Sequence, residues 1–215
     1  MNKKFAVVLS GSGVYDGAEI HETTLLMLAI DKNGGTYQCF APDIDQHHVI
    51  NHLTGNEMNE TRNVLVESAR IARGKIKSLT EFKAAHFDAL VFPGGSGAAK
   101  NLSTFAFKGA NCSVNPDVEH AVIEMVEAKK PIGALCIAPA VIARILKGAT
   151  ITIGNDEQTA KAIVAMGSKH QIKTHGEVTI DPSFKLVTTP CYMLDASISQ
   201  IAEGAENVVK TIMGI

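Results

Sequence analysis

The 215-residue sequence has no apolar run approaching the roughly 18 residues that a membrane-crossing helix needs. It has no surplus of positive charge either: 20 Lys plus Arg stand against 22 Asp plus Glu, a formal charge of −2. That balance argues against nucleic acid or an anionic membrane as the main partner, because both select for cationic surfaces. There is no CxxC pair. The four cysteines, at 39, 112, 136 and 191, match the spacing of neither a zinc knuckle nor a disulfide-dense secreted scaffold. A secretory leader is not evident, since Met1-Asn2-Lys3-Lys4 leads only into the short apolar stretch Phe5 to Leu9. Repeats, low-complexity tracts and linkers are missing as well. Together these features lead to the expectation of a soluble, cytoplasmic protein with reduced thiols and a single domain over 1–215.

What the chain does have is alternation. Hydrophobic residues make up 46% of it, enough for a sizeable core. Short apolar runs at Phe5–Leu9, Ala89–Phe92 and Pro131–Leu135 read as strands covered on both faces. Helical spacing is expected after Asp16, which would cap a helix running to Gly34-Gly35, and over 61–73, 117–129, 138–146, 156–166 and 195–213. Further strands are expected at 36–40 and 150–153, and segments 177–180 and 185–189 flank Asp181-Pro182-Ser183 as a hairpin. Alternating strands and helices mean an α/β sandwich: a mostly parallel sheet with helices on both faces and a small C-terminal hairpin. Ligands in such sheets bind beyond the carboxyl ends of the strands.

The strongest chemical signal is Gly133-Ala134-Leu135-Cys136-Ile137-Ala138-Pro139-Ala140. A buried strand runs into a cysteine, and a helix with Pro139 in its first turn begins at once. Such a corner lifts its side chain to the sheet edge, as a nucleophile elbow does. The helix N-terminus would lower the thiol pKa and stabilise an oxyanion. A buried structural cysteine is the alternative. Pro93-Gly94-Gly95-Ser96-Gly97 ends the neighbouring strand, and N–H groups of Gly95 and Ile137 together suit an oxyanion hole. Standing alone, that glycine turn would read as a plain strand-to-loop connection.

Ser10-Gly11-Ser12-Gly13-Val14-Tyr15-Asp16-Gly17 is superficially like a dinucleotide loop, but Asp16 replaces the last glycine and would repel a pyrophosphate. Glu19, His21 and Glu22 follow within one turn; by position alone they read as solvated charges suited to the helix dipole. His47, His48 and His52 include an i, i+4 pair, yet no cysteine or carboxylate supports a metal site, so a solvated loop is the better reading. Asn51, Asn56, Arg62 and Asn63 are candidates to wall or cover a pocket. Cys191 reads as small apolar packing, with proximity to Cys136 as the alternative.

Taken together, Gly17-Ala18-Glu19-Ile20-His21-Glu22-Thr23, the Pro-Gly-Gly turn with Gly97-Ala98-Ala99-Lys100-Asn101-Leu102, and the Cys136 elbow resemble the ThiJ/PfpI superfamily of class I glutamine amidotransferase-like proteins. The likeness is nearer still to its ElbB branch, described as glyoxalase or isoprenoid-biosynthesis-associated. It rests on Leu9 to Gly17, Asn51-His52-Leu53-Thr54-Gly55, Glu60 to Leu65 and Thr188-Thr189-Pro190-Cys191-Tyr192-Met193, which span nearly the whole chain.

The resemblance implies a flavodoxin-like three-layer sandwich and a homodimer. It makes Cys136 the reactive thiol, Glu22 its acidic partner, and Gly94, Gly95 and Ile137 the oxyanion and substrate-binding positions. His21, Asn101 and Tyr192 become further pocket candidates. The function it implies is a glutathione-independent glyoxalase acting on glyoxal or glycated groups, with no metal and no organic cofactor. A redox-sensing or partner-binding protein built on an oxidisable low-pKa cysteine is the alternative. One departure stands out. Many relatives place a histidine beside the cysteine, whereas here Ile137 follows Cys136 and Gly154-Asn155-Asp156 follows the 150–153 strand. His175-Gly176-Glu177 echoes an amidotransferase His-x-Glu but precedes a hairpin strand, and His21 is a possible substitute base.

Overall fold

A computed structural model describes residues 2–215. In chain order the elements are β1 (Lys4–Val8), α1 (Ile20–Lys32), β2 (Thr36–Ala41), α2 (Val64–Ile71), β3 (Ile76–Ser78), β4 (Ala89–Phe92), α3 (Ser96–Lys100), α4 (Phe105–Lys108) and α5 (Pro116–Glu127). These are followed by β5 (Ile132–Leu135), α6 (Ala138–Ile145), β6 (Thr150–Ile151), α7 (Glu157–Ala165), β7 (Lys169–His170), β8 (Thr179–Asp181), β9 (Leu186–Thr189) and α8 (Ile198–Gly214). Seven strands form one sheet in the order β3-β2-β1-β4-β5-β9-β8. All neighbours pair in parallel except β8 and β9, which form the antiparallel hairpin. The expected α/β flavodoxin-like sandwich is what the chain forms.

The period of two along each strand splits the core in two. Phe5, Val7 and Leu9 of the first strand and its exit face one layer with Ala89, Val91, Leu135 and Val187, packed by Leu26 and Ile30 of α1 and Ile201, Val208 and Ile212 of α8. Ala6, Val8, Leu90, Phe92, Ile132 and Ala134 face the other, against Val122 and Met125 of α5 and Ile142 of α6. Strands buried on both faces explain why the sequence shows continuous apolar runs there. No helix among the described residues is long and apolar enough to cross a membrane.

Several boundaries differ from expectation for identifiable reasons. Asp16 does not cap α1. Its carboxylate is buried and accepts the Ile50 N–H at 2.7 Å, tying the first loop to the 43–63 segment. The cap is Glu19, whose Oε2 accepts the Glu22 N–H at 2.6 Å. Glu is a weak cap former by preference, so the sequence pointed to the more distant Asp16. The 150–153 strand shortens to β6 and pairs with β7 in a separate two-stranded ribbon, because Thr152 N–H goes to the Thr188 hydroxyl instead of a ladder partner. The short β3, β7, α3 and α4 carry too few residues for periodicity to reveal.

Loops leaving the carboxyl ends of β1, β4, β5 and β9 meet at one edge. The first loop (9–19) and the Pro93–Gly97 turn are laced together: Glu19 N–H bonds Gly94 O at 3.0 Å, Ser96 N–H bonds Val14 O at 2.8 Å and Gly97 N–H bonds Gly17 O at 2.8 Å. The glycines permit this approach. A Cβ on Gly95 would strike the backbone of Gly17 and Glu19, and one on Gly97 would meet Ser10 O at 2.5 Å and Gly17 C at 2.6 Å. The glycine turn therefore accommodates another loop of the same chain.

Gly97→Ala should cost at least about 2 kcal/mol, because rigid backbone blocks the added methyl. Gly148→Ala, at φ +86° with open space around it, should cost only about 1 kcal/mol of backbone strain. Urea unfolding of the two variants checks the ranking. Equal losses would show that the two loops can separate freely.

Candidate active site

Cys136 sits where β5 turns into α6, at φ +59°, a left-handed conformation rare for a side chain of any size. Its N–H bonds Thr189 O at 3.0 Å, extending the β5–β9 pairing one residue into the corner. The strained residue thus hangs from the adjacent strand, and the elbow reading is correct. Only 7% of Cys136 is exposed, and that fraction opens into a cavity of about 270 Å³.

Glu22 lies beside it and is fully buried. Its Oε2 accepts the Gly94 N–H at 2.9 Å and its Oε1 accepts the Tyr192 N–H at 3.1 Å. Tyr192 follows Cys191, a second left-handed residue at φ +44°, in the turn that leaves β9. The carboxyl is therefore clamped from two strand ends. Gly94 is where thiol and carboxyl converge: a Cβ there would overlap Cys136 Cβ and lie 2.8 Å from Sγ and 2.6 Å from Glu22 Oε2. Its N–H is committed to Glu22, so Gly94 positions the acid and does not serve an oxyanion. The backbone N–H groups of Gly95 and Ile137 are the ones that act to lower the thiol pKa.

Burial raises the Glu22 carboxyl from 4.5 to about 7, offset in part by the Tyr192 and Gly94 N–H groups. Burial, then the Glu22 charge, raises the Cys136 thiol well above its ordinary value, outweighing the Gly95 and Ile137 N–H groups. The expected low-pKa thiolate is thus corrected: removal from water and a neighbouring carboxylate overcome the helix N-terminus. Near neutral pH the proton rests on sulfur beside a carboxyl able to take it.

Of the other candidates, Tyr192 lines the cavity, and its hydroxyl lies 2.9 Å from His21 Nδ1 at the exposed rim. His21 does not line the cavity and reaches it only through that hydroxyl. Asn101 is no pocket residue. Its amide nitrogen donates to Ser10 O at 2.8 Å and Asp16 O at 2.9 Å, and its oxygen accepts the His47 N–H, so it fastens loops together. Asn51, Asn56, Arg62 and Asn63 do not line the cavity either; Asn63 caps α2, and Arg62 pairs with Glu60 and Glu67. His47 stacks on Phe107 with ring centres 4.3 Å apart, and His52 Nε2 accepts the Tyr15 N–H, so the histidine trio serves loop packing outside any helix. His175 and Glu177 lie in a separate surface cleft with Glu203 and Asn207. Cys191 is buried and electrostatically coupled to both Glu22 and Cys136, so it packs and is also near. Sequence reasoning missed Glu19, Lys100 and Met193 in the cavity wall. The Glu19–Glu22 spacing, two carboxylates on one helix turn, was the available signal for the first.

A mitochondrial ES1 protein homolog from Rattus norvegicus is 46% identical over 220 residues, covering 98% of this chain and 83% of the relative. A human mitochondrial glutamine amidotransferase-like class 1 domain-containing protein 3 is likewise 46% identical, over 98% of this chain and 82% of its own length. The chain belongs to the class I glutamine amidotransferase-like superfamily. Among solved structures, an isoprenoid biosynthesis protein with an amidotransferase-like domain from Ehrlichia chaffeensis superposes with a TM-score of 0.93 at 36% identity, covering 99% of this chain and 98% of that one. Drosophila melanogaster DJ-1beta shares the fold at a TM-score of 0.57 and 16% identity, covering 100% of this chain and 95% of that one. No family model matches the chain. The relatives correct one expectation. Proteins this similar over nearly the full chain are named as mitochondrial, which overturns the cytoplasmic assignment expected from composition.

The raised Glu22 carboxyl makes stability depend on pH. Below pH 4.5 the group is protonated in both folded and unfolded chains. As pH rises to about 7 the unfolded chain ionises first, so the favourable contribution is lost, by about 3 kcal/mol in total. Glu22→Gln removes this titration, although its NH2 must face one backbone N–H, a penalty that does not vary with pH. The unfolding free energy of the wild type minus that of the variant should therefore fall by about 3 kcal/mol between pH 4 and pH 8.5. A flat difference would show that Glu22 titrates as an ordinary surface acid.

Proposed function

We propose that this protein is a cofactor-independent glyoxalase that converts glyoxal and water to glycolate through Cys136. The observation that carries the reading is a thiol on a strained elbow, at the end of a small cavity, in contact with a buried carboxyl raised to about 7. As sulfur attacks one aldehyde carbon, its proton passes to Glu22 and the carbonyl electron pair moves to oxygen, where the N–H groups of Gly95 and Ile137 receive it. Glu22 returns that proton to the oxyanion, giving a hemithioacetal. The regenerated carboxylate then removes the hemithioacetal C–H proton. The electrons form an enediolate with the neighbouring carbonyl; Glu22 delivers the proton to the second carbon, and the hydroxyl proton of the first carbon passes to the second oxygen. Collapse gives a glycolyl thioester, and water releases glycolate and the thiol.

An acid with a pKa near the working pH suits a group that both takes and gives protons. That property compensates for the absent histidine, since the same carboxyl serves thiol and carbon in turn. Glycated thiols and amines share the first step and fall within the same reading, as does a homodimeric assembly. The sensing alternative is weaker, because a thiol held protonated by burial is oxidised less readily than a thiolate.

Cys136→Ser should abolish glycolate formation from glyoxal in glutathione-free buffer, by a factor of at least about 10³. In the wild type, kcat/KM should rise with pH through an inflection near 7, the Glu22 titration, and Glu22→Gln should lose both the inflection and most of the rate. Glyoxal turnover retained by Cys136→Ser would remove this thiol from the reaction. A rate independent of pH between 5.5 and 8.5 would remove Glu22 as its base.

A further inference from the structure

The cavity above Cys136 contains a second carboxylate that the proposed chemistry leaves without a task. Glu19 is 8% exposed and lines the cavity together with Cys136 and Tyr192. Its Oε2 is taken by the Glu22 N–H at 2.6 Å. Its Oε1 has no hydrogen-bond partner among the described residues, and it is not among the fully enclosed orphan atoms, so its open side is the cavity. A carboxylate oxygen withdrawn from bulk water and left with vacant lone pairs favours a donor or a cation supplied by a ligand. The cation of the same wall, Lys100, is held at the exposed rim by the Tyr15 carbonyl at 2.8 Å.

We infer that Glu19 is a specificity-determining residue, and that the cavity selects small carbonyl compounds bearing an ammonium or N–H group near the reacting carbon. Amine adducts of dicarbonyls and α-amino carbonyl compounds have that chemistry; carboxylate-bearing aldehydes would be disfavoured by charge. The inference rests on Cys136 as the nucleophile and names the substrate class of that site. It also gives Glu19 two jobs through its two oxygens, one holding the start of α1 and one facing the ligand.

The test reads charge selectivity at Cys136 without depending on turnover. The full-length protein is treated with aminoethyl, methyl and sulfonatoethyl methanethiosulfonate, which are cationic, neutral and anionic. Rates of mixed-disulfide formation at Cys136 are followed by intact mass, corrected with Cys136→Ser, and divided by each reagent's rate with a free thiol. The cationic reagent should exceed the anionic one by about tenfold or more, as expected for one charge a few ångströms away in a partly desolvated site. Glu19→Gln and Glu19→Ser both keep an acceptor for the Glu22 N–H, and both should shrink that ratio several-fold. Removing Glu19 also alters the charge on Glu22, which itself acts on the ratio, so the comparison is made in the Glu22→Gln background, where that charge is absent. A ratio near one, an anionic preference, or a ratio unmoved in both variants overturns the inference while leaving Cys136 chemistry standing. A Cys136 inert to all three reagents overturns the nucleophile reading and this inference with it.

Discussion

Confinement of a thiol and a carboxyl around the single α-carbon of Gly94 is the constraint on which this structure turns. No side chain fits there, because Cys136 and Glu22 already occupy the space a Cβ would need. Holding them so requires a left-handed Cys136, a left-handed Cys191 that delivers the Tyr192 N–H, and a strand end that delivers the Gly94 N–H. Each costs conformational freedom or strain, and the doubly packed sheet behind them supplies the rigidity that keeps them in place.

The electrostatic result at neutral pH is a protonated thiol beside a carboxyl near its own titration point, instead of a preformed thiolate. Burial raises both groups; the Glu22 charge disfavours the thiolate, while the Cys136 thiol, as a hydrogen-bond donor, lowers the carboxyl. A resting thiol is protected from casual oxidation, and the nearby base allows it to act when an electrophile arrives. On the proposed reading, this lets the elbow act with Ile137, and no histidine, beside its cysteine. The chemistry asks for a proton acceptor of suitable pKa within reach, and a carboxyl moved to about 7 meets that need.

Around this pair the loops do the work of shaping. Asp16 and Asn101 lock the first loop to the 43–63 segment, and the glycines at 95 and 97 let the β4 exit press against it. The cavity that results is small and mixed in character, with the Cys136 sulfur at one end and the Tyr192 hydroxyl and Glu19 at its wall. Residues that look functional in isolation, the three histidines and the asparagines, are consumed in this loop scaffold. A residue that looks like a solvated helix-start charge, Glu19, is buried in the wall.

The sequence by itself determined the alternation of strands and helices, the doubly buried sheet and the Cys136 corner. These follow from local rules: apolar runs too short for helices, breakers at strand ends, and a proline in the first turn after a cysteine. Only the tertiary structure decided which charges are buried and what they face. Glu19 and Glu22 sit three residues apart on the same helix start, and nothing local separates a cap from a proton carrier. That distinction comes from Gly94 and Tyr192, which lie 72 and 170 residues from Glu22 along the chain. The direction of the thiol shift was likewise beyond reach, because a helix N-terminus can be read from neighbours in sequence, whereas loss of water and a carboxylate brought from the first turn of α1 cannot.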